Sequence, residues 1–193
     1  STFLIPRISL STVSTKDRLK VQNGYRLTLQ ALGGSDALLS DTNFIQLKLG
    51  AKAVHSVNSK LRVLGRADVG LTYVDDFDKL PVSQRFFAGG DNSVRGYEYQ
   101  SLSPKDESGD GLGGQNLLVG SVEVDYRLKG NWGVAAFVDA GNAFEEMATD
   151  LKIGVGVGLR WFSPIGPVRI DLAVPQNGDQ NDIRLHLNLG PDL

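Results

Sequence analysis

The chain has 193 residues, 23 of them glycine, no cysteine, and a formal net charge of −2. A nearly balanced charge gives no sign of a polybasic face directed at nucleic acid or anionic lipid, and the lack of thiols excludes a disulfide framework and a thiolate metal site. The length suits one ordinary domain or one segment of a barrel. No stretch approaches the roughly 18 consecutive apolar residues of a spanning helix. Residues 1–6 lack the basic region and long apolar core of a secretory leader. Neither fact argues against a membrane barrel, whose strands are apolar only at alternate positions.

Alternation with a period of two runs along almost the whole chain and predicts nine strands: 2–13, 21–33, 43–57, 60–74, 115–129, 131–142, 151–163, 167–175 and 182–190. In the fourth, Val63, Gly65, Ala67, Val69, Leu71 and Tyr73 face one way, and Leu64, Arg66, Asp68, Gly70 and Thr72 the other. In the fifth, Leu118, Gly120, Val122, Val124 and Tyr126 oppose Val119, Ser121, Glu123 and Asp125. The sixth sets Trp132, Val134, Ala136 and Val138 against Gly133, Ala135, Phe137 and Asp139. The seventh sets Ile153, Val155, Val157, Leu159 and Trp161 against Gly154, Gly156, Gly158 and Arg160. The last two repeat the pattern, with Arg169, Asp171 and Ala173 opposite Val168, Ile170 and Leu172, and Arg184, His186 and Asn188 opposite Leu185, Leu187 and Leu189.

Many of these strands are about 9–13 residues long, which suits a tilted crossing of a bilayer. A soluble sandwich or lipocalin-like barrel also alternates, but soluble strands average about 5–6 residues. Here charges share a face with glycines, as a wet lumen allows, while Trp132, Trp161 and Tyr73 sit near strand ends, where interfacial aromatics belong. Connections at Asn58-Ser59, Lys129-Gly130-Asn131, Ser163-Pro164-Ile165-Gly166-Pro167 and Asn177-Gly178-Asp179 are turn-like. The expected class is therefore all-β, an antiparallel transmembrane β-barrel. Nine is odd, whereas bacterial single-chain barrels have even counts. The chain therefore reads as a partial barrel domain over 1–193, with its remaining strands upstream.

Residues 75–115 form one long connection, uncommon in a compact protein unless functional or disordered. Residues 105–114 are polar and glycine-rich, as expected of a mobile surface tip. The first half carries Phe86, Phe87, Val94, Tyr97 and Tyr99, too apolar for a solvated loop and expected to pack inside the barrel.

The segment Arg85-Phe86-Phe87-Ala88-Gly89-Gly90-Asp91-Asn92-Ser93-Val94-Arg95-Gly96-Tyr97 resembles the sixth-loop signature of the BamA/TamA superfamily of bacterial surface antigens, with Val94-Arg95-Gly96-Tyr97 at its core. Its extension through Ser103-Pro104 is most similar to the TamA branch, the outer-membrane subunit of the translocation and assembly module. Thr2-Phe3-Leu4-Ile5-Pro6, Phe137-Val138-Asp139-Ala140-Gly141, Ser163-Pro164-Ile165-Gly166-Pro167 and Leu189-Gly190-Pro191-Asp192-Leu193 extend the resemblance over essentially the whole chain. It implies the C-terminal nine strands of a barrel of about sixteen, with POTRA domains absent from this chain. It also implies that the long loop folds inward as a plug.

An arginine drawn into a barrel needs carboxylates, because an unpaired buried charge is very costly. Glu123 and Asp139 should face the lumen from adjacent strands, where a planar guanidinium can fork between them. The resemblance makes this the family's loop-to-wall lock, with Asp125 a less favoured partner. Gly96, Gly89 and Gly90 provide turns. Gly154, Gly156 and Gly158 either clear a strip of wall for the loop or accommodate barrel curvature. The terminal strand, with Leu185, Leu187, Leu189 and Gly190, precedes Pro191, which cannot pair. In the family, the last strand borders a weak seam that clients join by strand addition.

No catalytic constellation, metal set or cofactor site is expected. His55 and His186 lack further ligands, and His186 reads as a polar lumen residue. Asp75, Asp76 and Asp78 read as a solvated turn rather than a calcium loop. Ser93 lacks a nucleophile elbow, and Gly111-Leu112-Gly113-Gly114 opens no helix. The expected function is a non-enzymatic insertion factor of the bacterial outer membrane that assists assembly of autotransporter-type β-barrel proteins. Its partners would be outer-membrane lipid, client barrels and an inner-membrane TamB-like protein reached through POTRA domains, with no nucleic acid. A BamA-like general assembly factor, a two-partner secretion pore and a passive porin-like barrel are the alternatives.

Overall fold

A computed structural model describes residues 5–17, 20–35, 42–146, 150–164, 166–176 and 182–193. Among them, nine strands form one antiparallel sheet in sequence order: β1 Arg7–Thr15, β2 Asn23–Gly34, β3 Phe44–Ser56, β4 Leu61–Val74, β5 Asn116–Arg127, β6 Trp132–Phe144, β7 Lys152–Ser163, β8 Gly166–Pro175 and β9 Arg184–Leu189. Each strand pairs with the next, and the sheet is curled but open, since β1 and β9 are not neighbours. Every predicted strand has its counterpart. The expected start of the first strand, Thr2-Phe3-Leu4, lies outside the described residues, as do Ile165 and Asn177-Gly178-Asp179. β9 is shorter than the predicted 182–190 at both ends; at its C-terminal end Gly190 takes φ 143° and Pro191, which has no N–H, follows it.

Alternation sorts the two faces. Ile8, Leu27, Leu47, Leu49, Val122, Val138, Val157, Leu185 and Leu187 are exposed on the convex side, and an apolar surface this wide is incompatible with water. The concave side carries the charges and the buried glycines. Connections 57–60, 128–131 and 164–165 are short and lie at the end where the chain terminates; 35–43, 75–115, 145–151 and 176–183 lie at the other. Trp132 and Trp161 are cross-strand partners at the short-connection end, their rings 6.4 Å apart. Tyr73 sits at the opposite end of β4. Aromatics thus bracket the apolar band, as at the two interfaces of a bilayer.

The loop 75–115 folds into the concave side and zips on itself through isolated bridges at Phe86↔Gly114, Ala88↔Leu102 and Lys105↔Gly111. Phe86, Ala88, Val94 and Leu102 form a core with Leu117, Val119 and Ala143 of the wall, and Tyr97 packs against it. Phe86 lies over Gly70, where a Cβ would penetrate its ring. Arg85 ties the loop base together, donating to the carbonyls of Phe77, Asp78, Leu80 and Leu112 and stacking 4.4 Å over the Phe77 ring. One expectation needs correction. Tyr99 is 79% exposed: the chain turns at Gln100, φ 58°, and the ring only brushes Gly90 before facing the open lumen. Residues 105–112 lie exposed, as a surface tip should; there Asp106 Oδ1 accepts from the amides of Ser108 and Asp110, while Gly113 and Gly114 pack against Phe87 and Phe144.

Val138 lies at mid-height on the exposed face of β6. Val138→Arg should therefore destabilise the protein in lipid vesicles by about 2–4 kcal/mol, measured by urea titration, while Val138→Leu changes little. Equal stability of the two variants would contradict a lipid-facing convex side.

Candidate functional site

The tip of the loop places Arg95 in the middle of the lumen, 6% exposed. Its five guanidinium N–H donors all find acceptors. Nε donates to Asp139 Oδ2 at 2.8 Å, Nη2 to Asp139 Oδ1 at 3.0 Å and to Ser121 Oγ at 3.4 Å, and Nη1 to Glu123 Oε2 at 2.7 Å and Asp171 Oδ2 at 2.8 Å. The Arg95 amide also donates to Asp139 Oδ2, at 3.0 Å. Beneath the guanidinium lies the Phe137 ring, its centroid 3.3 Å from Cζ. Burial works against the charged form, but the hydrogen bonds and charge of Asp139, joined by Glu123, outweigh it and hold the pKa above the usual arginine range.

Local sequence explains why these groups converge. Glu123 and Asp139 occupy inward positions of β5 and β6, and Asp171 an inward position of β8. At Gly96, φ is 94°, and a Cβ there would meet the backbone of Val174 and Pro175. Gly154 does the same for the wall: a Cβ would collide with the Arg95 carbonyl oxygen. Gly156 and Gly158 serve wall side chains instead, making room for Phe137 and for the Asp171–Arg160 pair. The glycine strip thus has two uses, loop approach at one position and side-chain packing at the other two.

Strand parity predicts Arg95 between Glu123 and Asp139, and the structure brings all three together. Arg160 and Asp171 join them without having been expected there. Arg160 is fully buried and donates to Glu123 Oε1 at 2.8 Å and Asp171 Oδ1 at 2.5 Å. Glu123 and Asp171 therefore each bridge Arg95 and Arg160, one oxygen to each. Asp125 does not touch Arg95; it takes Arg160 at 3.3 Å and Arg62 at 2.6 Å. Arg62 continues to Asp192 at 3.0 Å, and Asp192 also pairs with Arg169. Leu193 then seats beside Val21 and Val54. An unbroken chain of alternating charges thus links the loop tip to the C-terminal tail. The available signal was strand parity: Arg160 shares the glycine-bearing inward face of β7, and Asp171 the charged inward face of β8.

His186 was read only as a polar lumen residue. It does face the lumen, and it also holds the motif. Nε2 accepts from the Gly96 amide at 3.0 Å, leaving the proton on Nδ1, 2.5 Å from Asp91 Oδ1. Its neighbours on β9 act alike: Asn188 donates to Asn92 at 3.1 Å and Arg184 pairs with Glu98 at 3.0 Å. The inward row of the terminal strand is therefore held to the loop at three successive rungs. Leu185, Leu187 and Leu189 point away from it, and each is more than 60% exposed. Gly89 and Gly90, at φ 99° and 96°, form the turn that leads into the motif. Val94 is fully buried, whereas Phe87 is half-buried. No group of three or more His, Cys, Asp or Glu among the described residues is arranged to hold a metal ion.

Comparison with known proteins agrees with this architecture. The Omp85 superfamily domain matches residues 7–192. The outer membrane protein assembly factor BamA of Nitratidesulfovibrio vulgaris is 30% identical over 95% of the chain, which spans 24% of that protein. The chloroplastic outer envelope protein 80 of Arabidopsis thaliana is 31% identical over 58% of the chain and 15% of its own length. Among solved structures, BamA from Haemophilus ducreyi lacking POTRA domains 1–3 superposes with a TM-score of 0.73 at 19% identity, covering 93% of this chain and 40% of that one. The chain thus spans about a quarter of the length of the first of these relatives.

Removing one partner from a buried ion pair costs about 3–5 kcal/mol, because the other charge is left uncompensated. Arg95→Ala and Asp139→Ala should therefore release the loop, seen as faster cleavage within 75–115 by added protease, while the heat-modifiable migration of the folded barrel persists. Gly154→Ala should do the same through collision with the Arg95 carbonyl. Wild-type cleavage rates in all three variants would contradict the lock.

Proposed function

Because the chain belongs to the Omp85 superfamily, we propose that it forms the C-terminal part of a barrel of about sixteen strands that inserts other β-barrel proteins into the bacterial outer membrane without enzymatic chemistry. The observation that carries this reading is the buried Arg95 site. A passive porin needs a constriction, not a loop whose tip engages three wall strands and the terminal strand at once. Such a plug fills part of the lumen and supports β9 from the inside. In this reading the terminal strand is where a client strand pairs by main-chain hydrogen bonds.

The finer reading is a TamA-like factor that serves autotransporter-type clients, with POTRA domains reaching an inner-membrane TamB-like partner. It is supported by the extended loop motif through Ser103-Pro104 and by the terminal Leu189-Gly190-Pro191-Asp192-Leu193. The BamA relatives favour a second reading, a general assembly factor. A two-partner secretion pore is the third.

Depletion of the gene separates these. The TamA-like reading expects surface display of an autotransporter to fall several-fold while bulk porin levels hold, with Arg95→Ala failing to restore display. Loss of all outer-membrane barrels on depletion would move the protein to the general role. Intact assembly of every barrel tested would defeat both.

A further inference from the structure

The two halves of the inner wall are charged differently. On β7 and β8, Arg160 and Arg169 meet carboxylates, while Arg127 of β5 stacks 4.5 Å over the Phe162 ring. From β2 to β4 the balance fails. The register sets Arg26 directly beside Lys52, and Lys52 directly beside Arg66. Lys48 lies on the same face, two inward positions along β3. Asp68 is the one carboxylate among them, poised over Gly50. Among the described residues, the side chains of Arg26, Lys48 and Lys52 have no hydrogen bond or ion pair, and Arg66 donates only to the Ser93 carbonyl of the loop. The Nε atoms of Arg26 and Arg66 are buried with no acceptor at all.

Folding does not favour this arrangement. Like charges at directly paired positions destabilise a sheet, and a donor withdrawn from water without a partner costs more still. The row is not sealed, however. It lines a cavity of about 190 Å³ with Arg26, Lys48, Lys52 and Asp68 on its walls, and Lys52 also borders a second space lined by Arg66 and Arg169 together with the carboxylates of Glu123 and Asp171. A set of cations that raises the folding cost while facing an open space is an anion-binding surface.

We infer that the inner wall of β2–β4 binds an acidic, extended stretch of polypeptide in the lumen through Arg26, Lys48, Lys52 and Arg66. Spacing selects the chemistry. Strands lie about 4.8 Å apart and rise about 3.4 Å per residue, so Arg26 and Arg66 are separated by about 10 Å across the sheet and Lys48 and Lys52 by about 13 Å along it. One phosphate group cannot span that field. Carboxylates on alternate residues of an extended segment recur about every 7 Å and can engage several of the cations at once. The row starts where the loop stops, since Arg66 touches Ser93, so a segment beside the docked plug would lie along it. The identity of that segment as client polypeptide rests on the assembly reading above; the binding chemistry does not.

The test uses the protein in detergent micelles and a fluorescein-labelled ten-residue peptide of alternating glutamate and alanine, read by anisotropy. The wild type should bind it, with affinity falling steeply as salt rises, and should ignore the lysine–alanine counterpart. Arg26→Gln/Lys48→Gln/Lys52→Gln should weaken binding at least tenfold and flatten the salt dependence. Its urea midpoint should not fall, because like-charge repulsion has been removed. Lys60→Gln/Lys129→Gln, at the short-connection end, should bind as the wild type does. Should the triple variant fail to fold, Lys48→Gln alone should still weaken binding several-fold. Three results would overturn the inference: no binding by the wild type, unchanged affinity in the folded variants, or displacement by inorganic phosphate at the same carboxylate-equivalent concentration as unlabelled peptide. Autotransporter display is scored separately, so a failure of binding and a failure of the assembly role are distinguishable.

Discussion

The Arg95 guanidinium, withdrawn from water at the loop tip, needs carboxylate partners, and the plugged side of the lumen is arranged around that constraint. Arg95 is carried to the middle of the wall on a loop that has its own small core of Phe86, Ala88, Val94 and Leu102. Three carboxylates from three strands receive it. Those carboxylates would repel one another if only one arginine were present, and Arg160 supplies the second cation through Glu123 and Asp171. Removing charge anywhere in the set leaves another group buried and unpaired, so the loop, β5, β6, β7 and β8 are energetically one unit.

The same network reaches further than the loop. Asp125 and Arg62 carry it to Asp192, and the tail beyond β9 is thereby fixed across the short-connection end. On the opposite side of the motif, His186 and its neighbours bind β9 from within. The terminal strand is thus held by one ladder of backbone bonds to β8 and by one row of side chains to the loop, while its other edge is unpartnered among the described residues. The β2–β4 wall, by contrast, carries cations without partners, and that asymmetry separates the half of the lumen occupied by the plug from the half open to a ligand.

The nine strands were legible because one face of each meets lipid and the other a wet, charged lumen, so parity is written into every strand. Strand ends were less legible. β9 stops early for a reason local to Gly190 and Pro191, which alternation does not register. Arg95 with Glu123 and Asp139 could be reached from the need to neutralise a buried charge together with the parity of two strands. Asp171 and Arg160 lie 76 and 65 residues away from Arg95 in sequence, and only the curl of the sheet brings them to it. The His186 contact was hidden for the same reason, and Tyr99 differs from expectation because apolarity alone does not reveal a turn that aims a ring into open space rather than into the loop core.

The central claim is that Arg95 and Asp139 stabilise the folded protein through each other. A double-mutant cycle measures this directly: Arg95→Ala, Asp139→Ala and the pair together, each unfolded in urea from lipid vesicles. Coupling of about 2–3 kcal/mol is expected, with the double variant much less destabilised than the sum of the two single changes. Additivity to within about 0.5 kcal/mol would contradict the account.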